Sequence, residues 1–143
     1  MAARRRWSYN PHSGGKKIPA NVRERTERRI RDDAEEHYAG RFTRLGIRFR
    51  GALCYIDAYT EPPNPSPSLL RATGETREEY LERLRNAPLH LCRLRYFGDE
   101  ERWSLAFYTY SNERYEPCVF HHGESHGTPE QAFDVGAVYL DGR

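Results

Sequence analysis

The sequence predicts a single α+β domain, a mainly antiparallel sheet of about five strands with two helices packed on one side. Three observations predict it. Apolar side chains fall on one face at helical spacing over 21–39 and over 76–87. Alternation of period two runs through 41–50, 52–59, 89–97 and 102–111. The strand-like stretches come in pairs joined by short turns, with no strand–helix–strand alternation to build a parallel sheet.

A chain of 143 residues is one domain's worth. Leu, Ile, Val and Phe make up only about 17% of it, below the roughly 20% associated with folded chains, but the net charge is just +2. Ten Tyr and two Trp add apolar area, so a small, aromatic-rich core is expected. No apolar run approaches the roughly 18 residues needed to span a membrane. Arg4-Arg5-Arg6 is followed by no apolar segment, so no secretory leader is expected. Cys54, Cys92 and Cys118 form no C-x-x-C pair and read as reduced, structural thiols of a cytoplasmic protein.

Residues 1–18 have no periodicity and read as a basic, flexible arm, with 19–143 as the α+β domain. Pro19-Ala20-Asn21 opens the first helix, with Asn21 as N-cap and Glu24 in the capping-box position. Val22, Thr26, Ile30, Ala34 and Tyr38 form its apolar stripe, and Gly40 stops it. Leu45, Ile47 and Phe49 then alternate with arginines, and Ala52, Cys54, Ile56 and Ala58 with Leu53, Tyr55, Asp57 and Tyr59. A hairpin or a bulge at Gly51 fits both. Pro62, Pro63, Pro65 and Pro67 make 61–68 an irregular loop. Thr76 and Glu79 cap the second helix, which Pro88 ends. Residues 89–97 and 102–111 form the clearest hairpin. Shorter strands are expected at 117–120 and 135–140, and a helical turn at 129–133.

The near-zero net charge hides a polarity. Residues 1–31 carry ten basic side chains against Glu24 and Glu27, a balance of +8, which leaves −6 on the rest. A basic segment on an acidic body suits contact with a polyanion. Two surfaces follow. One is the arm, with Arg4, Arg5, Arg6, Trp7, Lys16 and Lys17. The other is a sheet face with Arg48 and Arg50 on one strand, Tyr55 and Tyr59 on the next and Arg93 and Arg95 in the later hairpin, where guanidinium groups meet phosphates and rings stack on bases. An ordinary solvated sheet face has the same pattern.

Phosphate-loop, dinucleotide-loop and H-E-x-x-H motifs are missing. Gly123-Glu124-Ser125-His126-Gly127 matches a nucleophile-elbow pattern, but no histidine follows it to complete the hydrolase order. Cys118, His121 and His126 are an alternative metal set that lacks a separated second ligand pair; no metal or other cofactor is expected. His12, His37, His90 or His126 could serve as acid/base in a metal-independent ribonuclease.

Trp7-Ser8-Tyr9-Asn10-Pro11-His12-Ser13-Gly14-Gly15, Gly51-Ala52-Leu53-Cys54-Tyr55-Ile56-Asp57-Ala58-Tyr59 and His126-Gly127-Thr128-Pro129-Glu130 resemble a family of small bacterial proteins of unknown function, over most of the chain. The resemblance implies a bacterial cytoplasmic protein and no particular chemistry.

The function expected is that of a small cytoplasmic protein that binds RNA or DNA without catalysis, through the arm and the Arg/Tyr face. The alternatives are a ribonuclease-type toxin and an adaptor that offers the proline-rich loop to a protein partner.

Overall fold

The structure, a computed structural model, describes residues 12–141. Strands β1 (Arg44–Arg50), β2 (Leu53–Tyr59), β3 (Leu89–Arg95), β4 (Trp103–Thr109) and β5 (Arg114–Cys118) follow one another in an antiparallel meander. A sixth, β6 (His126–Gly127), pairs with Trp103 and Ser104 beyond the end of β5. The helices are α1 (Ala20–Tyr38), α2 (Pro67–Thr73), α3 (Arg77–Arg85) and α4 (Pro129–Gly136), the last continued by a 3-10 turn, Ala137–Leu140. The α+β architecture expected from the sequence is the observed one.

β1 and β2 pair in full register from Arg44–Tyr59 to Arg50–Leu53, across a two-residue turn that begins at Gly51, φ +58°. That register puts Leu45, Ile47, Phe49, Cys54, Ile56 and Ala58 on one face, where α1 and α4 cover them. Val22, Thr26, Ile30 and Ala34 of α1 are buried against this layer, together with Ala132, Phe133 and Val135 of α4. Trp103, Phe120 and Phe133 are the largest fully buried side chains, which is the aromatic-rich core the composition calls for. All three cysteines are free thiols; Cys54 and Cys92 lie in the core, and burial pushes both thiols up from the usual range.

Several expectations change. The second helix on the sheet is α4, not α3. α3 forms with the expected Thr76–Glu79 capping box, but Leu81 is its only buried residue, and it sits away from the sheet's main face. α4 has the apolar side chains and its own capping box, Thr128 with Gln131, so it takes the place on the core. The residues 135–140 therefore finish a helix and a 3-10 turn rather than a strand. α1 begins at Ala20 after Pro19, and Asn21 does not cap it: its Oδ1 accepts from the Val22 N–H instead. The first half of the proline-rich loop is irregular, but Ser66 caps α2, which starts at Pro67 because a helix's first position needs no N–H. β5 lies at Arg114–Cys118, a few residues earlier than expected. It tolerates Pro117 because it is an edge strand.

Residues 15–18, expected in the arm, lie against the sheet. Lys16 N–H donates to the Tyr96 carbonyl and Ile18 N–H to that of Gly51, and Ile18 is 1% exposed in the core. The chain crosses the β2–β3 end so tightly that a Cβ on Gly15 would lie 2.6 Å from the Tyr96 carbonyl oxygen, and φ there is +103°. The folded unit thus includes residues assigned to the arm.

The positive charge of α1 is also less available than the sequence implies. Arg29 makes paired contacts with Glu101 and Glu130, and Arg25 with Glu100, tying α1 to the β3–β4 turn and to α4. These contacts oppose the basic segment to acidic residues of the body within one molecule.

Candidate nucleic-acid interface

The sheet's other face carries the polar half of each alternation. Arg44, Arg48 and Arg50 stand opposite Tyr59, Tyr55 and Leu53 of β2. Tyr55 and Leu53 in turn face Arg93 and Arg95 of β3. Arg95 faces Ser104 of β4, and Ser104 faces His126 of β6. One face therefore collects five arginines and, from β2, β4 and β5, the rings of Tyr55, Tyr59, Tyr108 and Tyr115.

β3 would not reach this arrangement by plain alternation. In Leu89-His90-Leu91-Cys92-Arg93-Leu94-Arg95 strict period two puts His90 with Cys92 and Leu94, in the core. The register instead shifts between Ile56 and Asp57, so that Cys92 pairs with Ile56 and His90 with Asp57, leaving Leu91 as the extra residue. Leu91 and Cys92 are both fully buried, and the bulge turns His90 to the arginine face. The Tyr110 hydroxyl accepts the His90 backbone N–H at 2.6 Å, holding the bulged strand in place.

At the centre of the face Asp57, only 5% exposed, sets Oδ1 2.8 Å from His90 Nδ1. Its Oδ2 is 3.5 Å from the Arg48 guanidinium. Rings close around the pair: Tyr108 lies 4.8 Å from His90 and 4.9 Å from Tyr115, and Tyr55 lies 5.5 Å from Tyr115. The guanidinium groups stack on rings, Arg44 at 3.5 Å from the Tyr59 centroid, Arg48 at 4.8 Å from that of Tyr55 and Arg93 at 5.3 Å from that of Tyr115. The Tyr115 hydroxyl is shielded from solvent without a hydrogen-bond partner among the described residues, and burial, then the Asp57 charge, pushes its pKa up. It stays a neutral phenol, able to donate.

Toward β6 positive groups crowd. Arg95 gives an Nη1 hydrogen bond to the Gly14 carbonyl at 2.9 Å; burial, then Arg93, lowers its proton affinity. Burial, then Arg95, His126 and Arg93, lowers that of His12, and burial, then Arg102, that of His126. Such mutual repulsion is the electrostatic setting in which an anion is welcome.

Of the residues singled out from sequence, Arg48, Arg50, Tyr55, Tyr59, Arg93 and Arg95 share this face. Lys16 and Lys17 lie where the chain crosses the β2–β3 end, Lys16 beside Gly98. Arg4, Arg5, Arg6 and Trp7 fall outside the described residues. Tyr55 and Tyr59 differ from expectation in one respect: each is half-buried with an arginine stacked on it, so a base meets guanidinium planes rather than bare rings. Asp57, His90, Tyr108 and Tyr115 complete the site. His37 does not belong to it; it pairs with Asp33 on α1.

The alternative metal set is not assembled. Cys118 faces Leu105 and packs on the core, whereas His126 is on the opposite face. Among the described residues no group of three His, Cys, Asp or Glu side chains is placed to hold a metal ion. Nor does any described helix have the length and apolarity to cross a membrane. The proline-rich loop is tied down, with Pro62 buried, Glu61 on Arg85 and Asn64 on Arg77. Compared with known proteins, the chain matches no family model, and no curated protein or solved structure is significantly similar to it.

Proposed function

We propose that this protein binds single-stranded nucleic acid across the arginine face of its sheet. The observation that carries the reading is the gathering of Arg44, Arg48, Arg50, Arg93 and Arg95 on the face opposite α1 and α4, each guanidinium within a strand or two of a tyrosine ring. Guanidinium groups engage phosphate oxygens, and their planes offer stacking surfaces to unpaired bases. A flat sheet face suits a strand whose bases are splayed, whereas reading a duplex groove calls for a protruding element. Arg44, Arg48 and Arg50 are exposed, so a strand reaches them without rearrangement of the core.

The test is a titration of labelled single-stranded RNA and DNA by fluorescence anisotropy over a salt series. Dissociation constants of about 1–100 µM at physiological salt, weakening steeply as salt rises, are expected. Affinity no better than millimolar at low salt, or a salt-independent constant, would overturn the reading.

A further inference from the structure

Binding a strand needs charge and stacking surface, but it needs neither a buried carboxylate nor a histidine turned out of the core to meet it. Asp57 accepts the Nδ1 hydrogen of His90 at 2.8 Å, which leaves the lone pair of the neutral ring on Nε2. No described residue hydrogen-bonds Nε2, and the His90 side chain keeps 31% of its exposure. Arg48 of β1 lies 3.5 Å from Asp57, Arg93 stands three residues along β3 from His90 and stacks on Tyr115, and the Tyr115 ring is 6.4 Å from that of His90. An oriented base beside cations is the equipment for phosphodiester cleavage by an internal hydroxyl.

We propose that His90 is the general base of an RNA-cleaving site on this face, with Asp57 as its positioning residue; the proposal rests on the nucleic-acid reading above. The ribose 2′-oxygen bonds to the adjacent phosphorus as its proton passes to His90 Nε2. The P–O5′ bond breaks, and the departing 5′-oxygen keeps the electron pair and takes a proton from water. The hydroxide so formed recovers the proton from the imidazolium. The products are a 2′,3′-cyclic phosphate and a 5′-hydroxyl. Arg48 and Arg93 offset the charge that builds on the phosphoryl oxygens, and the Asp57 carboxylate stabilises the imidazolium.

The experiment uses the full chain and single-stranded RNA, its 2′-O-methyl counterpart and DNA of one sequence, with products identified by mass spectrometry and binding measured in parallel. Only the RNA is expected to be cut, giving cyclic-phosphate ends, while the 2′-O-methyl strand binds with similar affinity. His90→Gln should lower cleavage at least roughly 100-fold. Asp57→Asn should lower kcat about tenfold or more with KM little changed, the split expected of a residue that positions the base rather than holding the strand. Circular dichroism of both variants guards against unfolding, and the 2′-O-methyl comparison needs no variant. RNA that binds and stays intact overturns this inference and leaves the binding reading standing. Absence of binding overturns the binding reading itself. Cleavage of DNA and RNA alike, or cleavage unchanged in His90→Gln, also overturns the assignment.

Discussion

Replacing Arg48 and Arg93 together by glutamine is expected to weaken binding of single-stranded RNA about 100-fold. Each guanidinium is taken to make one charge-assisted contact with a phosphate, and such contacts contribute about 1.5 kcal/mol or more, roughly tenfold each. Losing two phosphate contacts should also reduce the slope of log affinity against log salt by about 1.4. The fold should tolerate the change. The Arg48 side chain is 58% exposed and its contact with Asp57 is a long one; its stacking on Tyr55 contributes about 0.5–1 kcal/mol. Anisotropy titration at several salt concentrations reads both quantities. A double variant with undiminished affinity would remove the arginine face from the account.

The second large effect concerns stability, on the opposite side of the sheet. Asp33 of α1 and Asp134 of α4 meet where the helices pack, with Tyr38 donating to Asp134 Oδ1 and Asp33 Oδ2 lacking any partner among the described residues. Burial, then the Asp134 charge, pushes Asp33 up to about 6, against 3.8 for the free carboxyl, although His37 draws it back. A carboxyl raised on folding holds its proton longer in the native state. Stability from this group is therefore full below about pH 4 and declines as pH rises to about 6, above which the penalty is complete. Asp134→Asn converts the repulsion into a hydrogen bond: its amide can donate to Asp33 while its carbonyl still accepts from Tyr38. The variant should gain about 1–2 kcal/mol at about pH 7.5 and little at about pH 4, measured by urea unfolding. An equal effect at both values, or a loss at the higher one, would contradict the carboxyl-pair explanation.

Much of this architecture was legible because the elements obey one period each. β1 and β2 alternate without interruption, so the shared side of Arg48, Arg50, Tyr55 and Tyr59 follows from spacing alone. The stripe on α1 is equally regular. Legibility failed where a second rule overrode the first. His90 reads as a core residue until the consecutive apolar pair Leu91-Cys92 is recognised as a bulge, and the register shift at Ile56 and Asp57 makes the difference. Thus Asp57 and His90 each stood in view as residue types, but their pairing did not. From sequence, 129–140 reads as a single turn and a strand, because Val135–Leu140 is too short for its period to distinguish helix from strand. Thr128 with Gln131, a capping box, was the available signal. Charge was misleading in another way: the +8 of residues 1–31 is partly matched inside the fold by Glu100, Glu101 and Glu130. Among the described residues Arg44, Arg48 and Arg50 of β1 remain exposed for a polyanion, as do Arg23 and Arg28 of α1.

The most direct measurement of the central claim is an NMR map of the interface. Arginine Nε–H and backbone amide signals are followed while 2′-O-methyl RNA, which the proposed cleavage chemistry leaves intact, is added to the full chain. Perturbations concentrated at Arg44, Arg48, Arg93 and Arg95 and at the amides of β1, β2 and β3, with α1 and α4 nearly silent, are the predicted result. Perturbations centred on α1 and α4, or none at a strand concentration that saturates binding, would contradict it.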